Sequence, residues 1–314
     1  MAEASRQPAP PRGWFARALD SDVFHSFYTS PVTVIAALVT LAFFFVAIFA
    51  HWIAPHDTFD LATISIMDSE LPPAWLDGGD PRFFLGTDDQ GRDLLSAIMY
   101  GMRLSLLVGF ASVLFAALIG VSVGLVSGYL GGTLDDVLMR IADVQLSFPA
   151  ILIALLVDGI TKGLFLGQAS EVLSIFVVVV SIAISTWPQY ARTVRASTMV
   201  EKSKEYVQAV QVIGLPPWLI VLRHVLPNVL GPVLVIATIN LAIAIIIEAT
   251  LSFLGVGIPP TQPSMGTLIR IGNNFLFSGI WWITLFPALA LAVLVLAVNM
   301  LGDWMRDVLN PKLR

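Results

Sequence analysis

Few side chains able to do chemistry lie within apolar sequence here, and each narrows what the chain can do. Glu248, in IAIIIEATLSFLG, is flanked by apolar residues on both sides, whereas Asp143 and Asp158 border the run Val144 to Val157. A carboxylate in mid-membrane costs about 3 kcal/mol or more and is kept there for function. Glu248 therefore reads either as a lining or gating residue of a polar pathway or as a carboxylate hydrogen-bonding at the interface. Asn240 and Ser252, on the same apolar run, are further candidates for that pathway or gate.

Catalysis has less to work with. The histidines are His25, His51, His56 and His224, and the spacing of His51 and His56 is not that of a helical ligand pair. Serines in the apolar runs have no His or Lys at a recognisable nucleophile-base spacing. There is no Gly-x-x-x-x-Gly-Lys-Ser/Thr loop to cradle phosphates and no Asp-x-Asp-x-Asp-Gly run to hold calcium. Cysteine, the thiolate ligand, is absent. The expectation is no catalytic residue, no metal and no cofactor bound by this chain, and enzyme is the least supported class.

The elements carrying these residues follow from composition. Hydrophobic residues make up 57% of 314 positions and charged ones 12%, too apolar for a soluble surface. Crossing the hydrocarbon takes roughly 20 apolar residues. Charge-free runs cover Val23 to His56, Leu104 to Leu134, Val172 to Ala191, His224 to Ile247 and Ile271 to Gly302, and a sixth span between Ile141 and Gly159 has a shorter charge-free core, Val144 to Val157. The expected fold is an all-α integral membrane protein with six transmembrane helices. Residues 1–31 form a tail whose first part, with Pro8, Pro10 and Pro11, cannot bury a core. Residues 32–53 make the first span, too long for a signal peptide core. Residues 54–103 form an external segment, 104–303 the remaining core, and 304–314 a short tail.

With both ends on one side, the odd connections hold only Arg82, Arg92, Arg103, Lys162 and Arg270 of the 17 basic residues. The positive-inside rule then places both termini, and the connection 192–229, in the cytoplasm. Smaller signals add detail. Thr87 and Gln90 have capping-box spacing with Asp88 and Asp89 in the expected first turn. Gly120 and Gly124 form a small-x-x-x-small pattern read as helix packing. Gly131 and Gly132 turn the chain, and Thr133 is positioned to cap the next helix.

The stretch Glu201 to Asn228, EKSKEYVQAVQVIGLPPWLIVLRHVLPN, is the longest polar interruption in the second half. Tyr206, Val207, Val210 and Ile213 share a helical face, Gly214 ends that helix, and Pro216 and Pro217 start another over Trp218 to Val225 that Pro227 stops or kinks. Two short helices joined by a glycine elbow between spans suggest a docking surface.

This stretch resembles the EAA motif of permease subunits of bacterial ABC importers. It reads Gln208-Ala209-Val210, Gly214, His224 and Leu226-Pro227, with the motif's spacing kept while Gln208, Val210 and His224 depart from its consensus. RHVLPN (Arg223 to Asn228), LGTDDQGRDLLS (Leu85 to Ser96), SGYLGGTLDDVLMRIADVQLSFP, EATLSFLGVGIPP and NMLGDWMRDVLNPKLR are similar to the second permease of the dipeptide, oligopeptide and nickel branch. Met265 and Asn310 stand where Trp and Asp are usual.

The resemblance implies the five-helix core of type I ABC importers plus an extra N-terminal span. It implies a homologous permease partner, two cytoplasmic ABC ATPases that bind ATP and magnesium, and a periplasmic binding protein, in a bacterial inner membrane and without nucleic acid. Glu201 to Ile213 would be the coupling helix, with Glu205, Tyr206, Gln208, Ala209, Val210, Gly214, Arg223, Leu226 and Pro227 at or behind the ATPase contact. Di- and oligopeptides are the commonest cargo implied; nickel chelates, glutathione and opines are handled by relatives. A secondary carrier is the rival from another class, but no internal repeat is evident.

Overall fold

In hydrocarbon every backbone N–H and C=O must be satisfied locally, which an apolar chain achieves as helices. The computed structural model describes residues 22–58, 64–164, 171–259 and 262–309, so the expectation for the first 21 residues and for the last five lies outside the described residues. Among the described residues the secondary structure is helical apart from an isolated antiparallel bridge between Thr87 and Asp93.

Helix α1 (Asp22–Thr29) lies against the end of the chain through an edge-to-face contact of Phe27 with Trp304. Helix α2 (Pro31–Ile48) begins with proline at its first turn, where the missing N–H costs nothing, and the Ser30 hydroxyl accepts from the Thr33 N–H. A one-turn helix, Ala50–Ile53, completes the expected first span. Helix α3 (Leu94–Leu130) has 37 residues, about 55 Å at 1.5 Å per residue. It thus outruns the roughly 30 Å hydrocarbon core, and its first ten residues lie in the segment 54–103 expected to be external.

Helices α4 (Gly132–Leu146) and α5 (Ala150–Leu164) form the third expected span as a pair bent by 93°. Pro149 sits at the break, where it disfavours helical backbone at Phe148. Helix α6 (Glu171–Lys202), two short helices of the polar segment, α7 (Glu205–Val212) and α8 (Pro217–Ile220), then α9 (Leu226–Phe253), α10 (Met265–Phe275) and α11 (Trp282–Leu309) follow. Among the described residues five helices are long and apolar enough to cross a membrane, or six with the bent pair counted as one span.

The small-residue stripe on α3 is packing. A Cβ at Gly120 would lie 2.4 Å from the Tyr190 Cβ, one at Gly124 2.6 Å from the Ala191 carbonyl, and one at Gly128 2.7 Å from the Arg195 carbonyl. These three glycines let α3 and α6 approach backbone to backbone. Helix α4 is tied to the same α6 through the consequences of Pro188. That residue has no N–H to give the Ile184 carbonyl, and the Gln145 amide of α4 donates to it instead, while the Trp187 indole donates to Gln145 Oε1 at 2.9 Å. Arg195 of α6 donates to both Asp135 oxygens of α4 at 2.6 Å. Gly131, in the left-handed region at φ 69°, precedes α4 in the cap position, so Thr133 does not have the expected role.

Candidate functional site

Helix α6 stops at Lys202, and helix α7 (Glu205–Val212) starts shortly after it. The expected single helix from Glu201 to Ile213 is therefore divided. Glu201 closes the long helix and is buried; its carboxylate takes Lys204 Nζ at 2.7 Å and the Tyr206 hydroxyl. Val207 is the buried residue of α7, packed with Ile220, Val225 and Val229. Glu205, Gln208, Ala209 and Val212 face outward, Val212 with 89% exposure. Ile213, the C-cap of α7 with helical backbone, is also exposed, because six residues on from Val207 it lies on a different face of the helix.

The turn at Gly214 is built by hydrogen bonds. The Gly214 N–H donates to the Gln211 carbonyl at 3.0 Å and the Leu215 N–H to the Val210 carbonyl at 3.2 Å, which is the Schellman closure. Gly214 has φ 87°, and a Cβ there would meet nothing within 4 Å. Its requirement is conformational, not steric.

Helix α8 (Pro217–Ile220) starts at the proline pair, as expected, and runs through one π turn, Val221–Val225, into α9. Pro227 does not stop the helix. It cannot donate to the Arg223 carbonyl, and the chain widens ahead of it so that the Leu226 N–H bonds the Val221 carbonyl five residues back. The His224 carbonyl then receives Asn228 Nδ2 at 2.8 Å and lies 3.2 Å from the Tyr206 hydroxyl, to which Asn228 Nδ2 also donates at 2.8 Å. Tyr206 thus ties α7 to the end of α6 and the start of α9. Partial burial, and then the Glu201 carboxylate, hold its hydroxyl above the usual phenol range, so it remains a donor. Arg223 is exposed, Leu226 half-buried and Pro227 exposed.

Glu248 is wholly enclosed. Ser105 of α3 donates to its Oε2 at 2.6 Å, and Ser252, one turn along α9, donates to its Oε1 at 2.8 Å. The first turn of α10 abuts this site: the Met265 N–H lies 3.4 Å from the Ser105 hydroxyl, and a Cβ on Gly266 would overlap the Ala249 carbonyl. The carboxyl group therefore sits where α3, α9 and a helix N-terminus meet. Asn240 lies two turns away, buried, with neither amide atom hydrogen-bonded among the described residues. Ser105 escapes sequence reasoning because it is 143 positions from Glu248 and looks like any serine in an apolar run.

The segment before α3 is a tied loop and not a helix start at Thr87. Asp93 is the cap, accepting from the Ser96 N–H at 2.9 Å, and the Thr87 hydroxyl instead donates to the Asp68 carbonyl at 2.6 Å. Asp88 is buried, holding Arg92 Nε at 2.6 Å and the backbone N–H groups of Gln90 and Arg92 at 2.9 Å. Burial, then the charge of Asp88, raises the neighbouring Asp89 carboxyl above the usual range. Asp88→Asn strands the Arg92 guanidinium in the interior and is expected to cost about 3–5 kcal/mol, read as a lower thermal midpoint and faster proteolysis of this segment.

A bundle of membrane-length helices, with a buried carboxyl group at the junction of three of them and one exposed short helix, defines the class as an integral membrane protein. Two family comparisons then specify it. Residues 120–314 match the family described as binding-protein-dependent transport system inner membrane component, and residues 21–73 match the N-terminal TM domain of oligopeptide transport permease C. The chain belongs to this family of transport permeases.

It is 38% identical to the dipeptide transport system permease protein DppC of Haemophilus influenzae over 88% of this chain and 91% of that one. It is 39% identical to the Escherichia coli K12 protein of the same name over 93% of both chains. The di/tripeptide transport system permease protein DppC of Pseudomonas aeruginosa is 37% identical over 88% of this chain and 87% of its own length. The fold matches a chain of the inward-facing MetNI methionine ABC transporter with a TM-score of 0.54 at 21% identity, over 68% of this chain and 97% of that one.

Proposed function

We propose that this chain is the second permease of an ATP-driven peptide importer in the bacterial inner membrane. It forms half of a path for di- and oligopeptides with a homologous permease. Two cytoplasmic ABC ATPases bind and hydrolyse ATP with magnesium, and a periplasmic binding protein delivers the substrate. Both termini and the segment 192–229 are cytoplasmic. Relatives named for dipeptide transport, similar along nearly the whole chain, support the cargo.

The observation that carries the coupling role is the one-sided burial of α7. Val207 is held in a hydrophobic core cluster while Ala209, Val212 and Ile213 present an apolar surface with no partner among the described residues. Burying such a surface is what a docked ATPase supplies. Tyr206 and the Schellman turn fix that helix to α6 and α9, so a push on α7 reaches both.

Two measurements test this. Proteoliposomes holding both permeases and both ATPases should import labelled dipeptides when the loaded binding protein is supplied on the substrate side; import of a different solute with no peptide uptake sinks the cargo assignment. Val212→Asp puts a charge on the docking surface without touching the fold. It should leave the permease pair intact and weaken ATPase association by about tenfold or more in a pull-down titration; undiminished association removes α7 from the interface.

A further inference from the structure

A cavity of about 320 Å³ lies between α6, α9 and the end of α4, lined by Gln189, Arg192, Thr193, Asn240 and the apolar Leu146, Ile236 and Ile239. Its size falls at the lower end of the roughly 300–1,000 Å³ of small-molecule sites. On α6 the residues against α3 are Trp187, Tyr190, Ala191, Val194 and Thr198. Gln189, Arg192 and Thr193 sit on the opposite face of that helix, so the cavity is turned away from the α3 packing.

Three features make it a built site. Asn240 is 1% exposed, and both its Oδ1 and Nδ2 lack a hydrogen bond among the described residues. The neighbouring Tyr190 hydroxyl is buried and lies close enough to Asn240 to satisfy one of its two amide atoms, which leaves the other without a partner among the described residues. Arg192 is loosely held: its Nη1 lies 3.8 Å from Asp143 Oδ1, with both side chains more than half exposed. An ion pair of that geometry is weak, so the guanidinium can turn to another anion. Gln189 and Thr193 add donors and acceptors beside it, and Leu146, Ile236 and Ile239 give the apolar wall.

We propose that this cavity is a peptide-binding station at the cytoplasmic end of the translocation path, recognising the free C-terminal carboxylate of a short peptide. Arg192 takes the carboxylate, Asn240 pairs with the adjacent peptide amide, and the terminal side chain lies on Leu146, Ile236 and Ile239. This rests on the peptide-permease reading and adds that the permease, not only the binding protein, selects for a free carboxylate. Guanidinium and carboxylate form a charge-assisted pair, and an amide matches both hydrogen-bonding groups of a peptide bond.

The test uses the detergent-solubilised complex of both permeases and both ATPases, without binding protein, and takes alanyl-leucine and its C-terminal amide as probes. The dipeptide should raise the thermal midpoint of the wild-type complex in the millimolar range, and the amide should do so far less. Arg192→Gln should weaken dipeptide binding by about tenfold or more and abolish the preference over the amide. Asn240→Leu, of similar volume, should weaken both probes.

Several results overturn the proposal. One is the absence of any dipeptide-dependent shift in a complex that imports dipeptides, and another is identical shifts in the variants. A third is loss of the permease partner on Arg192→Gln, which would make the face a subunit contact. Failure of the underlying reading looks different: such a complex would import no peptide at all when given loaded binding protein.

Discussion

Replacing Gly214 by valine is expected to cut uptake by about tenfold or more while the ATPases remain bound and hydrolyse ATP. The reason lies in the backbone. Gly214 sits at φ 87°, beyond the last turn of α7, and its N–H and that of Leu215 close the helix onto Gln211 and Val210. For a residue with a Cβ this region costs roughly 1–2 kcal/mol, and for a β-branched one more. Each 1.36 kcal/mol is a factor of about ten in rate when it falls on the step that carries the motion.

Open space around the glycine makes the prediction specific. With nothing within 4 Å of a Cβ added at this position, side-chain size is irrelevant and backbone preference is everything. Asparagine, which tolerates the left-handed region, should retain most uptake, alanine should lie between, and valine should be worst. Strain is relieved by unwinding the Schellman turn, which frees α7 from Leu215 and the chain leading into α8 and α9. The check is peptide uptake against ATP hydrolysis in the same reconstituted complex. Equal uptake by the valine variant would remove the elbow from coupling, and loss that follows side-chain volume would point to a steric contact with a partner subunit.

The spans and the glycine elbow are legible in the sequence because each depends on local residues. Absence of charge over twenty residues, a proline pair and a glycine after a periodic run are all read along the chain. What stays hidden depends on residues brought together from afar. The division of α6 from α7 at Ser203 and Lys204 has no proline or glycine to announce it; the Gln208 amide holding the Ser203 carbonyl at 3.1 Å and Glu201 gathering Lys204 and Tyr206 stabilise the break. That also shows one use of Gln208, which departs from the motif's glutamate: it is engaged with the preceding turn. Pro227 is legible as a helix disturbance, but its outcome is not, because a single π turn absorbs it. The cap of α3 falls at Asp93 and not at Thr87, because Thr87, with ideal capping spacing, gives its hydroxyl to a carbonyl from the loop before it.

Glu248 supplies the second large effect. Its environment contrasts with an open gate: the carboxyl is enclosed, both oxygens are occupied by Ser105 and Ser252, and the first turn of α10 is pressed against α9 so closely that Gly266 admits no side chain. Truncation to alanine removes both hydrogen bonds and leaves a void at the junction of three helices. A loss of about 3 kcal/mol or more is expected, with the complex failing to assemble. Glu248→Gln keeps the shape. Its carbonyl oxygen still accepts from one serine, while its amide must donate to the other hydroxyl, reversing that bond. The complex should therefore assemble, with a thermal midpoint close to wild type, yet move between its conformations at a changed rate because α3, α9 and α10 are joined through this group. Uptake measured at saturating loaded binding protein should change severalfold with unchanged ATPase association. If the glutamine variant transports with wild-type kinetics and the alanine variant is merely unstable, Glu248 is a structural clamp and the path lies elsewhere, along the α6 and α9 face that carries Arg192 and Asn240.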